Sequence, residues 1–201
     1  MKRILYICFG ATLLALLLYG CSKSPLSDDW EDLKYVADNY TLEDAKNEGY
    51  VVMEEGSVTF GKDIWQDFID LVDKKKPCKI RVSHYYTLGD PSHYDRSYYE
   101  SIKDDYPKMY TFELDYKDEI FYLSHYEDER FYQSEYKYLM RYEGEAETPT
   151  ATFTSYVRYV LVNDDTVTWK EIMGGMLSSQ SDAYIPHYQI YTELSFKEEY
   201  R

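Results

Sequence analysis

The residues of this chain with chemical reach are four histidines, 37 acidic side chains, 25 tyrosines and three cysteines in 201 residues. His84, His93, His125 and His187 include no His-x-x-x-His pair, and the cysteines form no Cys-x-x-Cys, the spacings that bring zinc ligands together. His84, His93, Asp90 and Asp95 surround a loop at 87–95 where a cation site is conceivable. The reading preferred here makes His84 a core-face histidine and Asp90-Pro91 a turn. Calcium chemistry lacks its Asp-x-Asp-x-Asp-Gly loop. Serine hydrolysis lacks a Gly-x-Ser-x-Gly elbow, and no glycine-rich loop is present to cradle phosphate. Carboxylate pairs for glycoside hydrolysis are available everywhere among so many acids, so none is singled out. Cys78, between Pro77 and an alternating run, reads as a small residue at a strand start rather than a nucleophile. The sequence therefore selects no catalytic residue, no metal and no cofactor.

Tyrosine is the compositional anomaly, with 14 of the 25 between residues 85 and 142. A Tyr-rich sheet face offers apolar rings with polar tips and suits recognition of peptides or sugars. Strand propensity accounts for most of these residues without a ligand. Tyr85-Tyr86 and Tyr98-Tyr99 differ, because in an extended chain one ring of each pair must face away from the other. With Asp90, these four are the candidate binding residues.

The amino terminus carries a different chemistry. Lys2-Arg3 precedes an apolar run, Ile4 to Gly20, that ends in Leu18-Tyr19-Gly20-Cys21. The run is shorter than a comfortable bilayer span and has the form of an export signal. Its end resembles the bacterial lipoprotein box, in which the Cys is diacylated and becomes the new amino terminus; Tyr19 stands where a small residue is usual. Cys21 is thus the candidate lipid-attachment site. Two acyl chains give stable anchoring where one does not. The expected organisation is a signal peptide at 1–20, a flexible tether at 21–29 and a single domain at 30–201. With Cys8 in the signal and Cys21 lipidated, Cys78 is the only thiol left in the domain, and no intrachain disulfide can form.

The elements that must position these residues read as α+β. Thr41-Leu42-Glu43-Asp44 has the spacing of a capping box, with Gly49 as the stop of its short helix. Residues 62–75 form an amphipathic helix with Ile64, Trp65, Phe68, Ile69, Leu71 and Val72 on its stripe; Lys74-Lys75-Lys76 suits the negative end of its dipole, and Pro77 ends it. From Lys79 the period becomes two, with strands expected at 79–86, 109–116, 120–125, 132–142, 152–163 and 184–194, and a tight turn at Lys117-Asp118. Thr168 to Glu171 repeats the capping-box spacing ahead of a second amphipathic helix. The fold expected is a mainly antiparallel sheet of about five to seven strands with two or three packed helices, preceded by a signal-peptide helix.

Tyr40 to Val52, followed by the 62–75 helix and by Lys79-Ile80-Arg81-Val82-Ser83 running into Tyr86-Thr87-Leu88-Gly89-Asp90-Pro91, resembles a domain of unknown function found in short lipoproteins of Gram-positive bacteria. The likeness covers about residues 38–125 and extends to Ser178-Ser179-Gln180 through Pro186-His187. It implies an extracytoplasmic location and an approximate fold. It implies no catalytic residues.

Removing the first 20 residues takes away only Lys2 and Arg3, which leaves 37 acidic against 20 basic side chains, a formal charge of −17. Such a surface excludes nucleic acid as a partner, because phosphate contacts need clustered Lys and Arg. It favours a basic peptide or protein. The function expected is an exported, membrane-anchored, non-enzymatic lipoprotein whose acidic Tyr-rich domain binds a partner outside the membrane. The alternatives are a cell-envelope hydrolase using carboxylates and a structural envelope protein without a specific ligand.

Overall fold

Local chemistry sets the turns and helix starts. Three two-residue hairpin turns, Glu55-Gly56, Asp118-Glu119 and Asp128-Glu129, hold both central residues at positive φ, between 48° and 80°. That backbone matches the twist of the flanking strands. Both expected capping boxes form: Thr41 Oγ1 accepts from the Asp44 amide at 3.2 Å, and the Asp44 carboxylate accepts from the Thr41 amide at 2.9 Å. Thr168 and Glu171 reciprocate in the same way at 3.3 and 2.8 Å.

A computed structural model of the chain describes residues 30–146 and 148–200. The signal segment, Cys21 and the tether lie outside the described residues. Among those described, strands β1 (Val51–Glu54), β2 (Ser57–Phe60), β3 (Cys78–Tyr86), β4 (Lys108–Lys117), β5 (Ile120–Glu127) and β6 (Arg130–Tyr136) form one sheet in the order β2-β1-β3-β4-β5-β6. A second sheet has the order β7 (Tyr138–Glu145), β8 (Phe153–Val162), β9 (His187–Phe196). The helices are α1 (Leu33–Asn39), α2 (Leu42–Asn47), α3 (Lys62–Asp73), α4 (Arg96–Ile102) and α5 (Trp169–Leu177). Every pairing is antiparallel except β1 with β3, whose crossover runs through β2 and α3. The α+β class and the mainly antiparallel sheet thus agree with the sequence reading.

The main core lies between the two sheets. Val51, Met53, Ile80, Val82, Leu114 and Leu123 of the large sheet meet Leu161, Ile190 and Tyr191 of the small one, with Trp65 and Phe68 of α3 completing the cluster. Trp65 stacks on Tyr191 at 4.5 Å between ring centroids and meets Tyr159 edge-on at 5.2 Å. On the far face of the large sheet, Val36 of α1 and Ala45 of α2 cover Tyr50 and Val52. On the far face of the small sheet, Ile172 of α5 covers Val160 and Val162. Cross-sheet polar ties reinforce this packing: the Leu194 amide donates to Ser57 Oγ at 3.0 Å, and Lys62 pairs with Glu193.

The described residues hold nine strands in two sheets and five α-helices, where the sequence reading expects one sheet of about five to seven strands and two or three helices, and three of the differences have a plain physical reason. First, β1 shows no alternation, because it is covered on both faces and Val51, Val52 and Met53 are all buried. Second, the run expected as one strand at 132–142 is two. The chain leaves the large sheet after Tyr136 and enters the small one at Tyr138, with the Lys137 amide held by Asn163 Oδ1 at 3.1 Å and the Val162 carbonyl at 3.2 Å. The period of two continues through this step, so nothing in the pattern marks it. Third, α1 and α4 are one-to-two-turn helices capped by Asp32 and Asp95, too short to show a helical period.

Helix α5 supplies a paired test. A Cβ at Gly175 would lie 2.4 Å from the Ala183 carbonyl oxygen, whereas one at Gly174 would meet nothing within 4 Å. Gly174→Ala is expected to stabilise the domain by up to about 1 kcal/mol through helix propensity. Gly175→Ala is expected to destabilise it by about 1–3 kcal/mol through the backbone clash. Equilibrium urea denaturation of the two variants checks both signs.

Candidate functional site

Pairing between β4 and β5 stops at Phe112 opposite His125. Beyond that point β4 runs on to Lys108 beside β3, and β5 runs on to Glu127 beside β6. The two strands part, and a cleft of about 570 Å³ lies where they do. Met109 to Phe112 form one wall, His125 and Tyr126 with the Glu127-Asp128-Glu129 turn form the other, and Leu33 and Tyr188 close the two ends.

The rings around it form a connected aromatic surface. Phe112 lies 5.0 Å from Tyr188, 5.3 Å from His125 and 5.4 Å from His84, and His125 stacks on Tyr132 at 5.0 Å. Tyr86 meets Tyr110 edge-on at 6.4 Å. Burial, with smaller contributions from Tyr86, Tyr136 and Glu127, holds the Tyr188 phenol well above its ordinary pKa, so it is a neutral donor at physiological pH. At the mouth, Glu127 lies 3.8 Å from His125 Nε2. Asp128 and Glu129 are exposed, and among the described residues neither makes an ion pair. Rings plus carboxylates with no lining Lys or Arg is a surface suited to a cation.

The cleft is backed by two polar residues in the sheet. His84 is buried, and its Nε2 donates to the Ile190 carbonyl at 3.2 Å, tying the large sheet to a register shift in β9. Arg81, 3% exposed, sits on the opposite face of β3. Its guanidinium donates to Glu113 Oε2 at 2.9 and 3.0 Å, to the Tyr50 hydroxyl at 2.8 Å and to the Glu31 carbonyl at 2.6 Å. It also lies 5.1 Å from the Trp30 ring centre and 5.5 Å from that of Tyr50. Trp30 in turn donates from Nε1 to the Glu48 carbonyl at 3.3 Å. Arg81 thereby pins the stretch of chain that leads into α1, including the Leu33 end of the cleft.

The residues singled out from sequence fall in several places. Tyr86 is half-buried beside Tyr110, at the edge of the cleft's aromatic surface. Tyr85, its neighbour, points to the other face and lines a separate groove with Tyr40, Leu42, Pro107 and Met109. Tyr98 and Tyr99 are on helix α4, not in an extended segment, and both lie against Tyr94, at 6.3 and 6.0 Å. Tyr98 is exposed and Tyr99 is half-buried. Asp90 is exposed and caps a single 3-10 turn by accepting from the Ser92 amide at 2.8 Å; those bonds hold its carboxyl below the usual range. Asp95 likewise caps α4. Among the described residues no group of three or more His, Cys, Asp or Glu is placed to hold a metal ion. Burial, with Asp115 adding to it, pushes the Cys78 thiol up to about 12, so it is protonated at neutral pH. Cys21 lies outside the described residues.

Sequence reasoning singled out none of the residues that line the cleft as site residues; it reached only their neighbours, Tyr86 beside Tyr110 and the core-placed His84 beside Phe112. It missed Tyr110, Phe112, His125, Tyr188 and the 127–129 turn as a set. Their only common signal is that Tyr110 and Phe112 share a strand face opposite a hairpin ending in Asp-Glu. Compared with known protein families, with curated proteins and with solved structures, the chain matches none.

Two outcomes follow from the buried groups. Arg81→Met leaves the Glu113 carboxylate with Lys79 as its one remaining ion-pair partner among the described residues and removes the guanidinium donor from the Tyr50 hydroxyl, and is expected to cost about 2–4 kcal/mol in urea denaturation; adding Glu113→Met should recover part of the loss. His84 gives a pH dependence. Burial depresses its folded pKa below 6.5, so the unfolded chain takes up a proton that the folded one resists. This contribution is full above pH 6.5 and is lost as the pH falls below it. The urea midpoint of the unmodified protein should therefore drop more between pH 7.5 and 5.5 than that of His84→Gln. Equal drops would show that His84 titrates freely in the fold.

Proposed function

We propose that this chain is an exported lipoprotein, attached through Cys21 to the extracytoplasmic face of the cell membrane, and that its acidic domain binds a basic peptide or protein there without catalysing a reaction. The observation that carries the reading is Leu18-Tyr19-Gly20-Cys21 at the end of an apolar run that opens with Lys2-Arg3. The polar stretch 22–29 follows, and the first described residues, Trp30 and Glu31, are already held by Glu48 and Arg81. Eight residues reach at most about 28 Å when extended, so a domain tethered this way works close to the bilayer. Among the described residues no helix is long and apolar enough to cross a membrane. The resemblance to short lipoproteins of Gram-positive bacteria belongs to the same proposal.

The binding half of the proposal is supported by the cleft between β4 and β5. Its three carboxylates are consecutive on one exposed turn, Glu127-Asp128-Glu129. Glycoside hydrolysis needs two carboxyls opposed across a substrate, so this arrangement favours recognition over hydrolysis. A formal charge of −17 on the exported part draws basic partners and repels anionic headgroups.

Cells fed labelled palmitate test the anchor. The label is expected on the unmodified protein, which should sediment with membranes. Cys21→Ala should remove the label and move the protein to the soluble fraction. Label that survives the substitution sinks the lipoprotein reading.

A further inference from the structure

We infer that the cleft between β4 and β5 receives the side chain of an arginine on the partner, a step that rests on the binding reading above and names the group bound. The protein's own interior shows what this combination of side chains holds. Arg81 lies among the rings of Trp30 and Tyr50, a carboxylate from Glu113 and a phenol hydroxyl from Tyr50. Arg158, half-buried, shows the ring half of the combination, 4.5 Å from the ring centres of both Tyr156 and Trp169. The cleft presents the same kinds of group: the rings of Tyr110, Phe112, His125 and Tyr188 and the carboxylates of Glu127 and Asp128. Tyr188 adds a phenol that makes no hydrogen bond among the described residues. None of the lining residues is Lys or Arg; Lys34, Lys108 and Arg130 each adjoin a lining residue in the chain, Lys34 lying 3.7 Å from Asp32 and Lys108 lying over the Tyr106 ring.

Charge and shape together select a guanidinium. Three consecutive acids at the mouth supply the complementary charge and hydrogen-bond acceptors. A quaternary ammonium uses the rings but leaves those acceptors without donors. An ammonium is compact and strongly hydrated, and loses more on entering between rings. A guanidinium is planar, weakly hydrated and able to stack on a ring while its edge donates to a carboxylate. It is the cation that uses both halves of the cleft.

The test uses the full-length lipidated protein in detergent micelles and three labelled pentapeptides, Gly-Gly-X-Gly-Gly with X arginine, lysine or citrulline. Fluorescence anisotropy reads affinity, and amide hydrogen exchange at 109–112 and 125–129 reads the site. The arginine peptide is expected to bind at least tenfold more tightly than either of the others and to protect both segments. Glu127→Gln with Asp128→Asn should weaken it at least tenfold. Both positions are exposed, so an unchanged urea midpoint will show that the fold is intact. Equal binding of lysine or citrulline, or full affinity in the double variant, overturns the arginine assignment. Protection of the same segments by chitotriose instead overturns it while leaving the cleft as a binding site. No protection by any of these probes overturns both.

Discussion

One buried guanidinium organises more of this domain than any other single group. Arg81 projects from β3, a central strand, into a space roofed by the chain that enters α1. A charge that is 3% exposed must be matched. It is matched from three separate places: Glu113 on β4, Tyr50 just before β1, and the adjacent pair Trp30-Glu31, which gives a ring and a backbone carbonyl. Satisfying Arg81 therefore locks the β3–β4 pair, seats the start of α1 on the sheet and fixes the point at which the chain emerges. Its partner Glu113 also reaches Lys79 at 3.3 Å, which spreads the negative charge over two cations on neighbouring rungs. The end of the cleft formed by Leu33 is a consequence of that seating.

The cleft itself is a product of topology. A six-stranded sheet packed on a three-stranded one cannot keep both faces covered along its whole length. β1, β3 and β4 lie under helices on one side and the small sheet on the other, and their residues are the most deeply buried. β6 is an edge strand with six of its seven residues exposed. Between these regimes β4 stays with β3 and β5 stays with β6, so the ladder between them ends early. Tyrosine suits this boundary, since its ring packs against Phe112 while its hydroxyl remains available to solvent or a ligand.

The surplus acid has a structural distribution as well as a sum. Five of the six residues in the two-residue hairpin turns are Asp or Glu. Others sit at helix starts: Asp32 and Asp95 accept from first-turn amides, and Asp44 and Glu171 accept from the N-cap amides of Thr41 and Thr168. Negative charge at a helix start is favourable, because free amides and the helix dipole meet it there. Part of the acidity is thus placed at turns and helix starts, and the acids at the mouth of the cleft belong to one such turn brought beside a row of rings.

Locally specified features were legible in the residues alone. The capping boxes at Thr41 and Thr168, helix α3, the alternating strands β3, β4 and β5, and the hairpin near 118 each depend on neighbours within a few positions. The class, α+β with a mainly antiparallel sheet, follows from summing such elements. The turn character of Asp90-Pro91 and the burial of His84 were legible for the same reason. Strand β1 was not, because burial on both faces erases alternation, and neither was the step at Lys137, because the period of two runs unbroken across it. The cleft was decided by tertiary structure alone. Leu33, Tyr110, His125 and Tyr188 span more than 150 positions, and what joins them is where one ladder stops, a fact of strand pairing that no local spacing records. The proposed lipid-attachment motif is the reverse case. Leu18 to Cys21 is read as four adjacent residues, so that proposal stands on the sequence by itself, while the cleft exists only once distant strands are brought together.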